Sequence, residues 1–199
     1  MTYDLITALA TFAFVSSITP GPNNLMLMSS GANFGFRRTI PHMIGVGFGF
    51  VFMLVLVGIG LMQAFDAYPA SKEILKIISI IYLIYLAFRI CTAAAPQLET
   101  ENDSSPLTFI QAALFQWVNP KAWTMALTAI SVYSPFRNME TIAIIALIFG
   151  FVNLPSVSLW TVLGQQLRRL LTNHRRLRVF NVTMATMLLS SLYPVITTG

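Results

Sequence analysis

The sequence predicts an all-α membrane protein whose six transmembrane helices form two inverted three-helix repeats. Of its 199 residues, 56% are hydrophobic and 10% are charged, against roughly 25% charged residues in a typical soluble domain. Runs without Asp, Glu, Lys or Arg cover 5–36, 39–65, 77–88, 104–120, 122–136, 141–167 and 179–199. Because about 20 apolar residues cross a bilayer as a helix, we place spans near 5–29, 41–62, 72–93, 107–130, 140–163 and 178–197.

The first span contains an interruption formed by Pro20, Gly21 and Pro22. A proline removes a hydrogen-bond donor and pushes the preceding residue out of the helical region, so these three residues predict a broken helix. In lipid, the freed backbone groups require protein or a water-lined cavity around them. The run 5–36 has 32 residues, which would extend about 48 Å as one straight helix and therefore leaves room for an unwound section.

Two asparagines, Asn23 and Asn24, follow this break. They either cap the restarted half-helix or bind a polar ligand, and the N-terminal end of that half-helix favours a carboxylate. A proline kink that serves only packing is the alternative interpretation.

The second half of the chain opens with a similar interruption. Pro120 in "WVNPKAWT" lies 98 positions after Pro22 in "TPGPNNLM". A polar connector at about 96–106 separates repeat one, about 1–95, from repeat two, about 107–199, within a single transmembrane domain. Because each half has three spans, an odd number, the second half must enter the membrane from the side opposite to the first. Paired interruptions in inverted repeats indicate a binding site at the repeat interface.

Lys121 lies between two uncharged runs and is the one charge predicted deep inside a span. Burying a lysine there costs roughly 2.5–3.5 kcal/mol. Because no acidic residue is predicted at the same depth, Lys121 must face backbone carbonyls, asparagines or a substrate anion. Asn153 in "FVNLP" is a further polar residue inside a span. The predicted substrate-binding residues are therefore Asn23, Asn24, Asn119, Lys121 and Asn153.

Two neighbouring features of the second span receive other interpretations. The glycines of "GVGFGF" (45–50) are expected to allow close helix packing. His42, near Arg37 and Arg38 at the start of that span, is expected to be interfacial and not a proton relay.

Basic residues predict the orientation of the chain. The loops on one side carry Arg37, Arg38, Arg89, Arg168, Arg169, Arg175, Arg176 and Arg178, and those on the other carry Lys72, Lys76 and Arg137. The side richer in arginine and lysine faces the cytoplasm. Both termini are thus expected on the outer side of the membrane.

Composition also argues against other classes of protein. Cys91 is the only cysteine, so neither an intrachain disulfide nor a cysteine-based metal site is credible. The predicted spans contain no His and Glu cluster and no paired carboxylates, which argues against an intramembrane enzyme. The basic segment 167–178 suits a cytoplasmic loop better than a nucleic-acid interface. We therefore expect no catalytic residues, no metal and no nucleic-acid partner.

The segments "TPGPNNLMLMSSGANFGFRRTIPHMIGVGFGF" and "FQWVNPKAW" resemble the LysE/RhtB family of amino-acid exporters over essentially the whole chain. Within that family, "TPGPNN" followed by "SS" and "GFR" looks most like the exporters of cysteine and O-acetylserine. The resemblance implies a proton-driven inner-membrane exporter of small amino acids or their derivatives, without ATP or a prosthetic cofactor. Many relatives carry an aspartate after the glycine-rich stretch of the second span; this chain does not, so that coupling group is unassigned.

Other functions remain open at this point. A passive channel for small polar solutes is the main alternative, and a structural or assembly subunit would not need Lys121. Membrane lipid, a small amino acid and the proton are the expected partners. The sequence does not decide the substrate side chain, the ion stoichiometry or whether the chain forms a homo-oligomer.

The predicted orientation can be tested with a reporter that is active only in the cytoplasm. Because the arginine-rich loops are retained inside, a reporter inserted in the loop 167–178 should be active, and one fused after Gly199 should be silent. An active fusion at Gly199 would overturn both the topology and the inverted-repeat prediction.

Overall fold

A computed structural model describes residues 1–61, 63, 67–68, 70–93, 105–134, 138–171 and 173–193. Within these residues the secondary structure is helical, with no strand. Predictions that fall on most of the connector at 96–106, on Arg137 and on Gly199 lie outside the described residues.

Eight α-helices are described, and they occupy all six predicted span regions. They are α1 Tyr3–Ile18, α2 Pro22–Phe34, α3 Phe36–Gly58, α4 Ala70–Cys91, α5 Phe109–Phe115, α6 Pro120–Tyr133, α7 Met139–Arg168 and α8 His174–Ser190. A short 3-10 helix, Gln116–Val118, follows α5. Several helices begin at side-chain caps: Thr2 before α1, Thr108 before α5, Asn138 before α7 and Asn173 before α8.

Apolar helices of membrane-spanning length are present in the described part of the chain. Phe36–Gly58, Glu73–Cys91 and Met139–Arg168 each meet the length and composition expected of a span, and α1 with α2 does so as a bent pair. Large apolar side chains also project outward, such as Phe88 at 65% and Phe151 at 76% exposure. So much exposed apolar surface is typical of a protein that contacts lipid. The described residues thus contain three or four candidate spans by length and composition, and the six-span inverted repeat stays a prediction.

Both predicted interruptions are real breaks in the helices. The axes of α1 and α2 differ by 52°, and Thr19 and Gly21 between them have extended backbones. Pro22 takes the first turn of α2, where its missing N–H costs no hydrogen bond. At the second break, Asn119 has an extended backbone between the 3-10 helix and α6.

The buried apolar side chains form two clusters, one at each end of the broken helices. One cluster joins α1 and α6 with parts of α3 and α7. The other joins α2, α5, α4 and α8 with the remaining parts of α3 and α7. Because α1 shares one cluster with α6 while α2 shares the other with α5, the two interrupted segments run in opposite directions. Their breaks therefore meet between the clusters.

Close backbone packing joins α2 to α7 and α3 to α5. A Cβ atom added at Gly31 would overlap the carbonyl of Thr161, and one at Gly164 would overlap the carbonyl of Met28. Gly45 and Gly49 lie equally close to the backbone of α5, as predicted for the glycine-rich stretch. Glycine is needed at these four positions because no side chain fits between the helices.

The α2–α7 crossing gives a stability prediction. Gly164→Val should lower the free energy of unfolding by about 1–3 kcal/mol or more, because the new side chain would meet the Met28 carbonyl. The thermal midpoint of the detergent-purified protein measures this change.

Gly150→Ala is the matched control. Its added Cβ would lie 3.6 Å from Val51 Cγ2, an ordinary contact, and alanine favours the helix by about 0.5–1 kcal/mol. Equal midpoints for the two variants would contradict the close crossing.

Candidate functional site

The site is built on the backbone carbonyls that the first break leaves without helical partners. Asn24 Nδ2 donates to the carbonyls of Ser17 and Thr19, both at 2.8 Å. Trp160 Nε1, from α7, donates to the carbonyl of Ile18 at 3.1 Å. Unpaired carbonyls cost several kcal/mol each in a bilayer, so these donors allow the chain to unwind at this depth.

Lys121 completes the set of donors at the break. Its Nζ atom donates to the Thr19 carbonyl at 2.5 Å, the Thr19 hydroxyl at 2.9 Å and the Pro20 carbonyl at 3.3 Å. A Cβ atom at Gly21 would lie 2.5 Å from Lys121 Cδ, so glycine at this position makes room for the lysine stem. The lysine faces carbonyls, one of the three partners that the sequence left open.

A reciprocal amide pair links the two breaks. Asn23 Nδ2 donates to Gln116 Oε1 at 2.8 Å, and Gln116 Nε2 donates to Asn23 Oδ1 at 3.1 Å. Gln116 is fully buried and also donates to the carbonyl of Ala112. The pair therefore fixes the start of α2 against the 3-10 turn that precedes α6.

The structure separates the roles of the predicted asparagines. No side chain caps α2, so the expectation that Asn23 or Asn24 caps the restarted half-helix is wrong. Asn24 instead binds the end of α1, and Asn23 binds Gln116. Asn119 is the N-cap of α6, where its side chain accepts from the Lys121 N–H. Without a cap, the first N–H groups of α2 have no intrahelical acceptor.

All five predicted substrate-binding residues border one small cavity of about 20 Å³ between the breaks: Asn23, Asn24, Asn119, Lys121 and Asn153. Ser17 also lines this cavity. Ser17 Oγ and Asn153 Oδ1 are buried there without a hydrogen-bond partner among the described residues. A cavity of this size holds about one water molecule, so the site is closed to an amino acid in this structure.

The electrostatics of the site are dominated by Lys121. The groups that bind its ammonium are neutral oxygens, and the described lining residues include no carboxylate. The adjacent N-terminal end of α2 adds a partial positive charge. The arrangement is therefore suited to an anionic group. The oxygens of Ser17 and Asn153 that have no described partner are available to accept hydrogen bonds.

Sequence reasoning did not identify Gln116, Trp160 or the burial of His42. Gln116 is a polar residue inside the uncharged run 104–120, which is the signal that could have found it. Trp160 has a specific partner at the break. His42 is 1% exposed, so its side chain is buried in the protein, and its placement near the membrane interface stays a prediction.

Broken apolar helices that bring a cation and several amides together at their breaks are typical of a membrane transport protein. The chain belongs to the LysE family: the family model, described as LysE type translocator, matches residues 14–191. This confirms the predicted family. Members are translocators and not enzymes, so the protein is a multi-pass inner-membrane translocator of a small molecule.

Curated relatives cover nearly the full length of the chain. A cysteine/O-acetylserine efflux protein of Escherichia coli O139:H28 (strain E24377A / ETEC) is 27% identical over 192 residues, which are 95% of this chain and 96% of the relative. Proteins of the same name from Escherichia coli (strain K12) and Shigella sonnei (strain Ss046) are 27% identical over 191 residues, 94% of this chain and 95% of each relative. No solved structure matches the chain.

Removing the Asn24 contacts and removing the Asn23–Gln116 pair are expected to change the stability of the protein by different amounts. Asn24→Leu should lower the free energy of unfolding by about 1–3 kcal/mol, because it strips the Ser17 and Thr19 carbonyls of a donor. The double variant Asn23→Leu/Gln116→Leu removes both partners of the other pair and should be much closer to neutral. Thermal unfolding of the purified proteins compares the variants. A lower thermal midpoint for the double variant than for Asn24→Leu would contradict this prediction.

Proposed function

We propose that this protein is a secondary-active exporter of small neutral amino acids or their derivatives, of the cysteine and O-acetylserine type, coupled to protons. The observation that carries the proposal is the contact of the Lys121 ammonium with the carbonyls of the broken first span. The names of the efflux proteins that share its length agree with export of such substrates.

The carboxylate of the substrate binds at the start of α2. It takes the place of the Thr19 and Pro20 oxygens as the partner of Lys121, and it accepts from the Asn23 and Asn24 N–H groups in the first turn of α2, which has no side-chain cap. A charge-assisted pair of this kind is stronger than a bond between neutral groups. The exchange of partners opens the closed cavity.

The substrate ammonium binds the oxygens that have no partner in the closed state, Asn153 Oδ1 and Ser17 Oγ. A buried acceptor left unpaired is unfavourable, so a donor that reaches it contributes to affinity. A substrate with a cationic side chain would need a carboxylate, and none lines the described site. This supports a neutral side chain.

Proton coupling is assigned to Lys121. A bound carboxylate and a proton on the amine stabilise each other, so substrate occupancy and protonation are linked. One residue then serves as both the carboxylate anchor and the proton carrier.

The membrane arrangement proposed here is the inverted repeat, with both termini outside. Arg37, Arg38, Arg168 and Arg169 border one open groove, which supports placing their loops on the same, cytoplasmic side. Outward-facing apolar side chains of α4 and α7 contact lipid.

An export screen and a vesicle assay test the proposal. Cells that overproduce the protein should tolerate higher levels of cysteine or O-acetylserine than cells with an empty vector. Proteoliposomes should accumulate substrate against its gradient when a proton gradient is imposed. Transport that only follows the substrate gradient would favour the passive channel.

Substitutions of Lys121 separate its two roles. Lys121→Met removes the charge, should insert at least as well as the parent, and should reduce transport by about ten- to a hundredfold. Lys121→Arg keeps a charge that does not release its proton under working conditions, so coupled transport should also fail. The measurement is substrate-driven proton movement in vesicles.

Full coupled transport by the Met variant would contradict both roles of Lys121. Transport by the Arg variant but not by the Met variant would retain the carboxylate anchor and exclude the proton role. An exposed substitution on α8, Thr186→Val, is the control for abundance and reconstitution.

A further inference from the structure

A second and larger polar cavity lies beside α2, on the arginine-rich side of the first. Its volume is about 250 Å³, and its polar lining includes Ser29, Ser30, Asn33 and His42. Asn33 lies ten residues after Asn23 on the same helix, about 15 Å along its axis. The cavity is therefore separate from the closed site between the breaks.

Its polar wall holds buried atoms without partners among the described residues: Asn33 Oδ1 and both ring nitrogens of His42. Asn33 is 3% exposed and His42 1%. Asn33 Nδ2 donates to the Ser29 carbonyl at 2.8 Å and to Asn181 Oδ1 at 3.2 Å, which fixes the amide in place. Buried polar groups are normally hydrogen-bonded, so these atoms indicate a place for a polar ligand.

The rest of the cavity has a different character. Leu86, Ile90 and Leu107 form an apolar wall. The half-buried Arg89 also lines the cavity, and the one hydrogen bond of its guanidinium to a described residue is a long one, 3.4 Å to the Ser105 carbonyl. Arginine pairs favourably with carboxylates. The cavity thus combines a cation, unpartnered acceptors and an apolar surface.

We propose that this cavity is a second binding site for a zwitterionic amino acid with a small uncharged side chain. Arg89 binds the carboxylate, Asn33 Oδ1 and an unprotonated His42 nitrogen accept from the ammonium, and the apolar wall contacts the side chain. This inference rests on the proposed export function. Because the first cavity is closed while this one has amino-acid size, it is a loading site that is filled before the site at the breaks opens.

His42→Phe distinguishes a ligand role from a packing role. The ring nitrogens have no described partner, so a structural histidine should tolerate replacement by phenylalanine without loss of thermal midpoint. A ligand-binding histidine should lose affinity by about ten- to a hundredfold on the same change. Arg89→Gln is the second variant, since its half-exposed side chain is less important for folding.

Equilibrium dialysis of isotopically labelled O-acetyl-L-serine against purified protein measures the binding. The decisive comparison uses the Lys121→Met background, in which the site at the breaks is disabled. Binding that survives in Lys121→Met and is weakened at least tenfold by adding His42→Phe or Arg89→Gln would support the second site. Thr186→Val controls for nonspecific effects.

Other outcomes overturn the inference in distinguishable ways. If the parent binds and Lys121→Met alone abolishes binding, there is no second site and the proposed function stands. There is likewise no second site if adding His42→Phe and adding Arg89→Gln to the Lys121→Met variant leave its affinity for O-acetyl-L-serine unchanged, and the proposed function again stands. If the parent neither binds O-acetyl-L-serine nor exports any amino acid from cells, the proposed function fails and the second site fails with it.

Discussion

The structure depends on the hydrogen bonding of four consecutive carbonyls, those of residues 17–20, at the break between α1 and α2. An unwound turn among apolar helices persists only if each freed carbonyl finds a donor. The donors are Asn24, Trp160 and Lys121, which belong to α2, α7 and α6. Satisfying one local break therefore fixes three helices around it and brings the second break alongside.

These donors are not equivalent, and the difference gives the site its chemistry. Asn24 and Trp160 are neutral donors, each held in place by the helix that carries it. Lys121 carries a charge that neutral oxygens compensate only in part, so a carboxylate is a better partner for it than a carbonyl. The break is thus divided into a permanent scaffold and one exchangeable contact, which is what a binding site needs to open and close.

The sequence predicted the helices and both breaks because proline and the absence of charge act locally. It also limited the partners of Lys121 to backbone carbonyls, asparagines or a substrate anion, since the spans offered it no acid, and the structure shows backbone carbonyls and the Thr19 hydroxyl. It could not assign Asn24 to the α1 carbonyls in place of an α2 cap, nor pair Asn23 with Gln116. Those contacts depend on how helices distant in sequence pack. The burial of His42 was missed for a similar reason, because flanking arginines indicate depth along a span but not which face is buried.

Packing also restricts how the protein can move between states. The α2–α7 crossing has no side chains between the backbones at Gly31 and Gly164, and a contact this close does not slide without a clash. Yet α2 belongs to the first half of the chain and α7 to the second. A motion that slides the first half of the chain as one unit past the second would therefore clash at this crossing. The two helices shift together, and the contacts that exchange are those of Lys121 with the Thr19 and Pro20 oxygens.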